Sequence, residues 1–282
     1  FTGVDFSKYS SKTSEFVQEF SSRANKEGKF LNWVNLPQEQ LKRLDDIYSL
    51  ASRLKAQTGV NKLSVMGIGG SKHTVEHMLG INGLNINSDS IFFYSDVDSI
   101  SFARFLHKLG NDVLSSNYLI ASKSGSTFET KDGFLRIQKM LEDAYMAKGQ
   151  SAEEAKKSAA KHFIAVTDKN AEKSELRRTS IESGWLGDLF IHDDVGGRFS
   201  AFDDHALFTL AFAGMKKEDM ASMLRSAQEI SSQSLSSDLE INDALKEGIF
   251  WADAKLNGIS ASVHQYMGSM FENTVYWHAQ MQ

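Results

Sequence analysis

Residues 117–130 read NYLIASKSGSTFET, and this stretch decides the fold. The apolar run Asn117-Tyr118-Leu119-Ile120 is a strand, and the amphipathic stretch beyond Thr127 is a helix with Phe134, Ile137, Leu141 and Tyr145 on one face. Between them lie the hydroxyls of Ser122, Ser124, Ser126, Thr127 and Thr130, one cation at Lys123 and a turn at Gly125. A strand that ends in a hydroxyl-rich turn and opens a helix is suited to hold an anion. The free N–H groups of the first helical turn and the positive end of the dipole face the ligand. Ser126-Thr127-Phe128-Glu129 also fits a capping box, with Ser126 at the N-cap and Glu129 three residues on. Capping leaves Ser122, Lys123 and Ser124 unexplained.

Working outward, the same alternation repeats. Strands are predicted at Lys62 to Met66, Ile91 to Tyr94, Tyr118 to Ala121, His162 to Val166 and Asp188 to Ile191. Helices are predicted at Lys72 to Leu79, Ser99 to Leu109 and Thr127 to Lys148. This pattern predicts an α/β fold, a mostly parallel five-stranded sheet flanked by helices, with helical N- and C-terminal extensions. The expected division is a helical arm over 1–56, the α/β unit over 57–214 and a helical segment over 215–282, with Ser231 to Ser237 a serine-rich loop.

Composition narrows the function. A net charge of −5 over 282 residues argues against a general nucleic-acid surface. No apolar run reaches the roughly 20 residues of a membrane span, and the N-terminus has no signal-peptide pattern. The absence of cysteine removes disulfides and thiolate chemistry and fits a cytoplasmic protein.

Two further loops lie at strand-to-helix junctions. Gly67-Ile68-Gly69-Gly70-Ser71 lets the backbone approach an anion, and Ser71 offers a hydroxyl. A dinucleotide fingerprint fails because Lys72 stands where a glycine is required, and no Walker A sequence occurs. Taken alone, this loop has a second, less favoured reading as a tight turn with no ligand. Val195-Gly196-Gly197-Arg198-Phe199-Ser200 presents an arginine after a glycine pair, suited to stabilising developing negative charge, or simply a surface arginine in a turn. Ser200 with Asp203 is cap-like. Three such loops on the carboxyl edge of one sheet, where open α/β sheets bind ligands, favour the ligand reading. A rival is His73-Thr74-Val75-Glu76-His77, which matches an inverted zinc-peptidase pattern and would make the chain a zinc hydrolase.

GIGGS at 67–71, SKSGSTFET at 122–130 and GGRFS at 196–200, in this order, resemble the glucose-6-phosphate isomerase family of the bacterial type, as do Trp33 and Leu36-Pro37 nearer the N-terminus. The resemblance implies sugar-isomerase (SIS) lobes of flavodoxin-like topology, a cytoplasmic homodimer and no metal or other cofactor. The substrates implied are glucose 6-phosphate and fructose 6-phosphate, interconverted through an enediolate. Ser122, Ser124 and Thr127 would hold the phosphate, with Lys123 beside them. Gly70 and Ser71 would contribute to the sugar-phosphate pocket, and Gly197 and Arg198 would sit by the reacting carbons, with Arg198 stabilising the enediolate.

The sequence departs from the family in one respect. The family's proton-carrying Glu lies in an E-S-x-G-K-like motif that does not occur here, nor do the later His and Lys of ring opening. Gln280 corresponds to a family glutamine four residues before that Glu, and none of Glu129, His205, Glu272 and His278 matches the motif. The expectation is an N-terminal portion of such an isomerase, retaining a sugar-phosphate half-site without substantial turnover. A non-catalytic SIS sensor and an isomerase that also accepts mannose 6-phosphate are the other readings.

Overall fold

Five strands, β1 (Leu63–Met66), β2 (Ile91–Tyr94), β3 (Asn117–Ala121), β4 (Phe163–Thr167) and β5 (Gly187–Phe190), form one sheet in the order β2-β1-β3-β4-β5 in the computed structural model. Every pairing is parallel. The structure describes residues 4–24, 26, 28–83, 86–259 and 264–281.

The strands are short apolar runs because both faces of the sheet are covered. Successive side chains go to opposite layers. Val65, Leu119, Ile164 and Val166 enter one core, and Met66, Ile120, Phe163 and Ala165 enter the other. The first layer is built by α3 (Leu44–Thr58), α4 (Gly70–Ile81), α9 (Asp204–Phe212) and α10 (Lys217–Ser234). The second is built by α5 (Ser99–Lys108), α6 (Phe128–Ala147), α7 (Ala152–Ala160) and α8 (Glu175–Glu182). Helix α9 is buried along its whole length, which its sequence HALFTLAF requires. The N-terminal helices α1 (Ser10–Ala24) and α2 (Leu36–Leu41) and the later α11 (Asp243–Leu256) and α12 (Thr274–Met281) complete the described elements.

The predicted α/β fold and its five strands are present, the strand ends shifting by a residue or so. Two helices were not anticipated. The buried faces of α7 and α8 consist of Ala155, Ala159 and Ala160 in one and Leu176 and Ser180 in the other, too little apolar surface to produce a periodic signal. The serine-rich loop expected from Ser231 is corrected in part, since α10 continues to Ser234.

The strand order places a topological switch point between β1 and β3, where the chain leaves the sheet in opposite directions. The glycine loop follows β1 and the hydroxyl loop follows β3. The two start side by side: a Cβ on Gly67 would lie 3.2 Å from the Cβ and carbonyl oxygen of Ala121, the last residue of β3.

Candidate functional site

The hydroxyl loop is held by its own side chains. Ser122, buried at the end of β3, bonds the Thr127 hydroxyl at 3.0 Å and accepts the Gly125 amide at 3.1 Å. Ser124 pairs with Ser126 at 2.6 Å and accepts the Ser126 amide at 3.2 Å. The backbone rests on the neighbouring segment: the Lys123 carbonyl accepts from the Asp168 amide and the Thr167 hydroxyl, and the Ser124 carbonyl from the Glu175 amide. Gly125 has φ +77°, and a Cβ there would come within 2.3 Å of the Leu176 nitrogen, so glycine is required twice over.

The capping-box expectation is corrected. The N-cap of α6 is Thr127, not Ser126, and no side chain caps the helix. The reason lies in the pairs just described: Ser126 and Thr127 turn back into the loop. Helix α6 therefore begins without a side-chain cap beside a cluster of hydroxyls, an arrangement suited to an anion. Lys123, Ser124 and Ser126 are exposed there, and Lys123 forms no ion pair among the described residues.

The glycine loop works differently. Gly69, with φ +57°, precedes α4, and the amides of Ser71, Lys72 and His73 already bond the carbonyls of Ile68 and Gly69. Its role is close approach. A Cβ on Gly70 would sit 2.0 Å from the Gly197 carbonyl carbon and 2.5 Å from the Arg198 nitrogen. The third loop thus crosses back over the sheet edge from β5 and lies on the start of α4.

That third loop is fastened by distant residues. Val195 pairs with Leu31, and the Asn32 amide bonds the Asp194 carbonyl at 3.1 Å. Gly197–Phe199 form one 3-10 turn, with Phe199 stacked on Trp33 at 5.3 Å. The Trp277 indole Nε1 donates to the Arg198 carbonyl at 2.8 Å. The Arg198 guanidinium is exposed, lies 5.4 Å from its neighbour's Phe199 ring and forms no ion pair among the described residues.

Behind this loop is a buried polar network that sequence reasoning missed apart from the cap at Asp203. Asp203 precedes α9, accepts the Asp204 amide and bonds His192 Nδ1 at 2.5 Å. Burial alone would lower the His192 pKa, but the hydrogen bond and charge of Asp203, with Asp204 beyond, raise it. Burial likewise opposes ionisation of Asp203, and the His192 contact overrides it to hold that carboxyl below its usual range. Asp204 accepts from Arg43 at 2.6 Å, Gln40 at 2.8 Å and the Phe190 amide at 2.8 Å. The acidic pair ahead of an apolar run was the available signal; its partners in α2 and beside it lie too far away in sequence to be paired by inspection.

The carboxylates and imidazole of His192, Asp203 and Asp204 form the group among the described residues that could hold a metal. Their atoms are already committed to one another and to Arg43 and Gln40. The zinc pattern at His73, Glu76 and His77 is not supported. His73 bonds Glu76 at 3.1 Å, and His77 Nδ1 bonds the Thr274 hydroxyl at 2.9 Å while its ring stacks on Trp277 at 4.2 Å. Burial lowers the His77 pKa to about 4. It is an interface histidine between α4 and α12.

Gly70, Gly197 and Arg198 line one open cleft of about 770 Å³, together with Gly69, Phe199 and Gln280. Ser71 is half-buried on the first turn of α4. Ser122, Lys123, Ser124 and Thr127 are not among the residues that line it. No carboxylate or imidazole lines it among the described residues. His205 is buried against Thr74 and lies outside that lining, as do Glu129, Glu272 and His278.

The family profile described as Phosphoglucose isomerase matches residues 30–266, a span that contains all three loops. A glucose-6-phosphate isomerase of Mycoplasmopsis pulmonis is 28% identical over 242 residues, 83% of this chain and 52% of that protein. One from Acetivibrio thermocellus is 30% identical over 231 residues, 77% of this chain and 47% of that protein. The chain thus spans about half the length of these relatives. Among solved structures, a hypothetical protein of Thermus thermophilus superposes with TM-score 0.67 at 25% identity, covering 86% of this chain and 54% of its own. A glucose-6-phosphate isomerase of Chlamydia trachomatis shares the fold, with TM-score 0.66 at 23% identity, covering 86% of this chain and 48% of its own.

Proposed function

The chain belongs to the phosphoglucose isomerase family, and from that premise we propose that it carries the phosphate-binding and arginine half of a hexose 6-phosphate isomerase site. The reaction is the reversible conversion of glucose 6-phosphate to fructose 6-phosphate. Ser122, Ser124 and Thr127, with Lys123, hold the phosphate at the start of α6. Gly70 and Ser71 shape the sugar-phosphate pocket. Arg198, brought to Gly70 by the Gly197 contact, faces the charge that develops on the enediolate oxygens. The observation that carries this reading is the Gly70–Gly197 approach, which leaves no room for a methyl group and brings two of the three loops onto one cleft.

Proton transfer between C2 and C1 needs a carboxylate over the enediol, and none lines the cleft among the described residues. The reading therefore assigns binding, without substantial turnover, to this chain. It also assigns 57–214 to a first SIS lobe, 1–56 to a helical arm and 215–282 to a segment leading to a second lobe, with a cytoplasmic homodimer as the working enzyme. No described helix is long and apolar enough to cross a membrane. A coupled assay of the purified chain in both directions, run beside a calorimetric titration with fructose 6-phosphate, tests the proposal. Binding without turnover is expected. Robust turnover would overturn the division of labour, and absence of binding would overturn the site.

A cleft with no carboxylate in its described lining equally suits a non-catalytic sugar-phosphate sensor. In a sensor, Arg198→Ala lowers affinity alone; in an isomerase assembled with a Glu-bearing segment, it lowers mainly turnover.

A further inference from the structure

We propose that Trp277 is a positioning residue for Arg198, acting through the peptide that carries the arginine. The inference rests on the sugar-phosphate reading above. Arg198 follows two glycines in a short 3-10 turn, and its guanidinium is exposed. Left to itself, such a turn would point the guanidinium in many directions, and a cation that must meet a developing charge loses effectiveness when it wanders.

The backbone is gripped from two sides. On one side Gly70 approaches so closely that its missing Cβ is what permits the contact. On the other, the Trp277 indole reaches across 79 residues of sequence to donate to the Arg198 carbonyl. The indole is itself fixed. It stacks on His77 at an interplanar angle of 24°, and His77 bonds Thr274, one turn earlier on the same face of α12. Helix α4 therefore holds Arg198 twice, directly through its first residue and indirectly through His77 and Trp277. Gln280, on the next turn of α12, lines the cleft that Arg198 lines.

This arrangement separates the two ends of a ligand. Among the described residues no hydrogen bond or ring contact joins the hydroxyl loop to Trp277, so the phosphate end is indifferent to the indole while the sugar end depends on it. Trp277→Phe keeps an aromatic ring against His77 and deletes the donor. Titration calorimetry with fructose 6-phosphate and, separately, with inorganic phosphate reads the difference. The expected result is an affinity for fructose 6-phosphate weakened about fivefold, within the range of one lost neutral hydrogen bond, and an affinity for phosphate that changes less than about twofold. In an Arg198→Ala background the same substitution should add nothing. Equal loss for both ligands, no loss for either, or full additivity with Arg198→Ala would overturn the proposal. In the unsubstituted chain, the indole N–H resonance of Trp277 should shift with fructose 6-phosphate and stay in place with phosphate; movement with neither or with both counts against it, whether or not the Phe variant folds. Failure of the unsubstituted chain to bind fructose 6-phosphate would overturn the functional reading itself. Binding that Trp277→Phe leaves intact overturns only this inference.

Discussion

The hydroxyl loop and the arginine turn sit on the same edge of one sheet and are held in opposite ways. Ser122 to Thr127 is closed by hydrogen bonds among residues two to five apart and rests on the segment beside it. Val195 to Ser200 is closed by residues from across the chain: Gly70, Leu31, Trp33 and Trp277. The first loop is a locally built turn, suited to an anion. The second makes the position of one cation depend on the packing of α4, α12 and the Leu31–Trp33 segment. In the proposed site, substrate retention would need little from the rest of the fold and charge placement a great deal.

The comparison breaks most visibly at its deepest support. Arg43→Met leaves the fully buried Asp204 carboxylate without its cation, and a loss of about 3 kcal/mol in urea unfolding is expected. Gly70→Ala comes next: a backbone collision that no rotamer relieves should cost about 1–3 kcal/mol and weaken fructose 6-phosphate more than phosphate. Ser122→Ala removes two local bonds at a buried hydroxyl and should cost about 1 kcal/mol. Ser124→Ala, at an exposed position, should change stability by less than about 0.5 kcal/mol while weakening both ligands.

Acidity sharpens the contrast further. The His77 pKa falls to about 4 from an ordinary 6.5 because the ring is buried, so the stability of the α4–α12 clamp is full above 6.5 and is lost as pH falls through about 4. His192 behaves in the reverse sense. Its pKa is raised, so its contribution is full below 6.5 and disappears as pH rises through the folded value. Asp203, held below 3.8, contributes above that value and stops contributing as pH falls through its own lowered pKa. The arginine turn thus loses one support in acid and another in base. The hydroxyl loop, bonded by hydroxyls and amides, responds to neither. Imidazole proton shifts recorded between pH 3 and 9 check this: His77 should titrate near 4 and His192 above 6.5, and coincident midpoints would remove the distinction.

Local chemistry was legible in the sequence, and long-range pairing was not. The runs at β1 to β5, the helix after Thr127 and the three loops follow from apolar periodicity and from glycine and hydroxyl spacing. The capping box misled because Ser126 and Thr127 had two competing sets of partners, the first-turn amides of the helix and the hydroxyls of the loop, and the loop won. Helices α7 and α8 left no signal because alanine and serine form most of their buried faces. Neither the Trp277 bond to Arg198 nor the Asp204 pair with Arg43, 161 residues away, leaves a mark on either residue's neighbours in the chain. The resemblance supplied roles for Gly70 and Arg198. The reason Gly70 must be glycine came only from Gly197 lying against it.

Two differently built loops are expected to hold one ligand, although the hydroxyl loop does not line the cleft that contains Arg198. Amide and guanidinium shift mapping during titration with fructose 6-phosphate tests it directly. The first-turn amides of α6, Phe128 to Thr130, and the Arg198 side-chain Nε should move together along one binding curve. Movement of the α6 amides alone, with Arg198 silent at saturation, would contradict it.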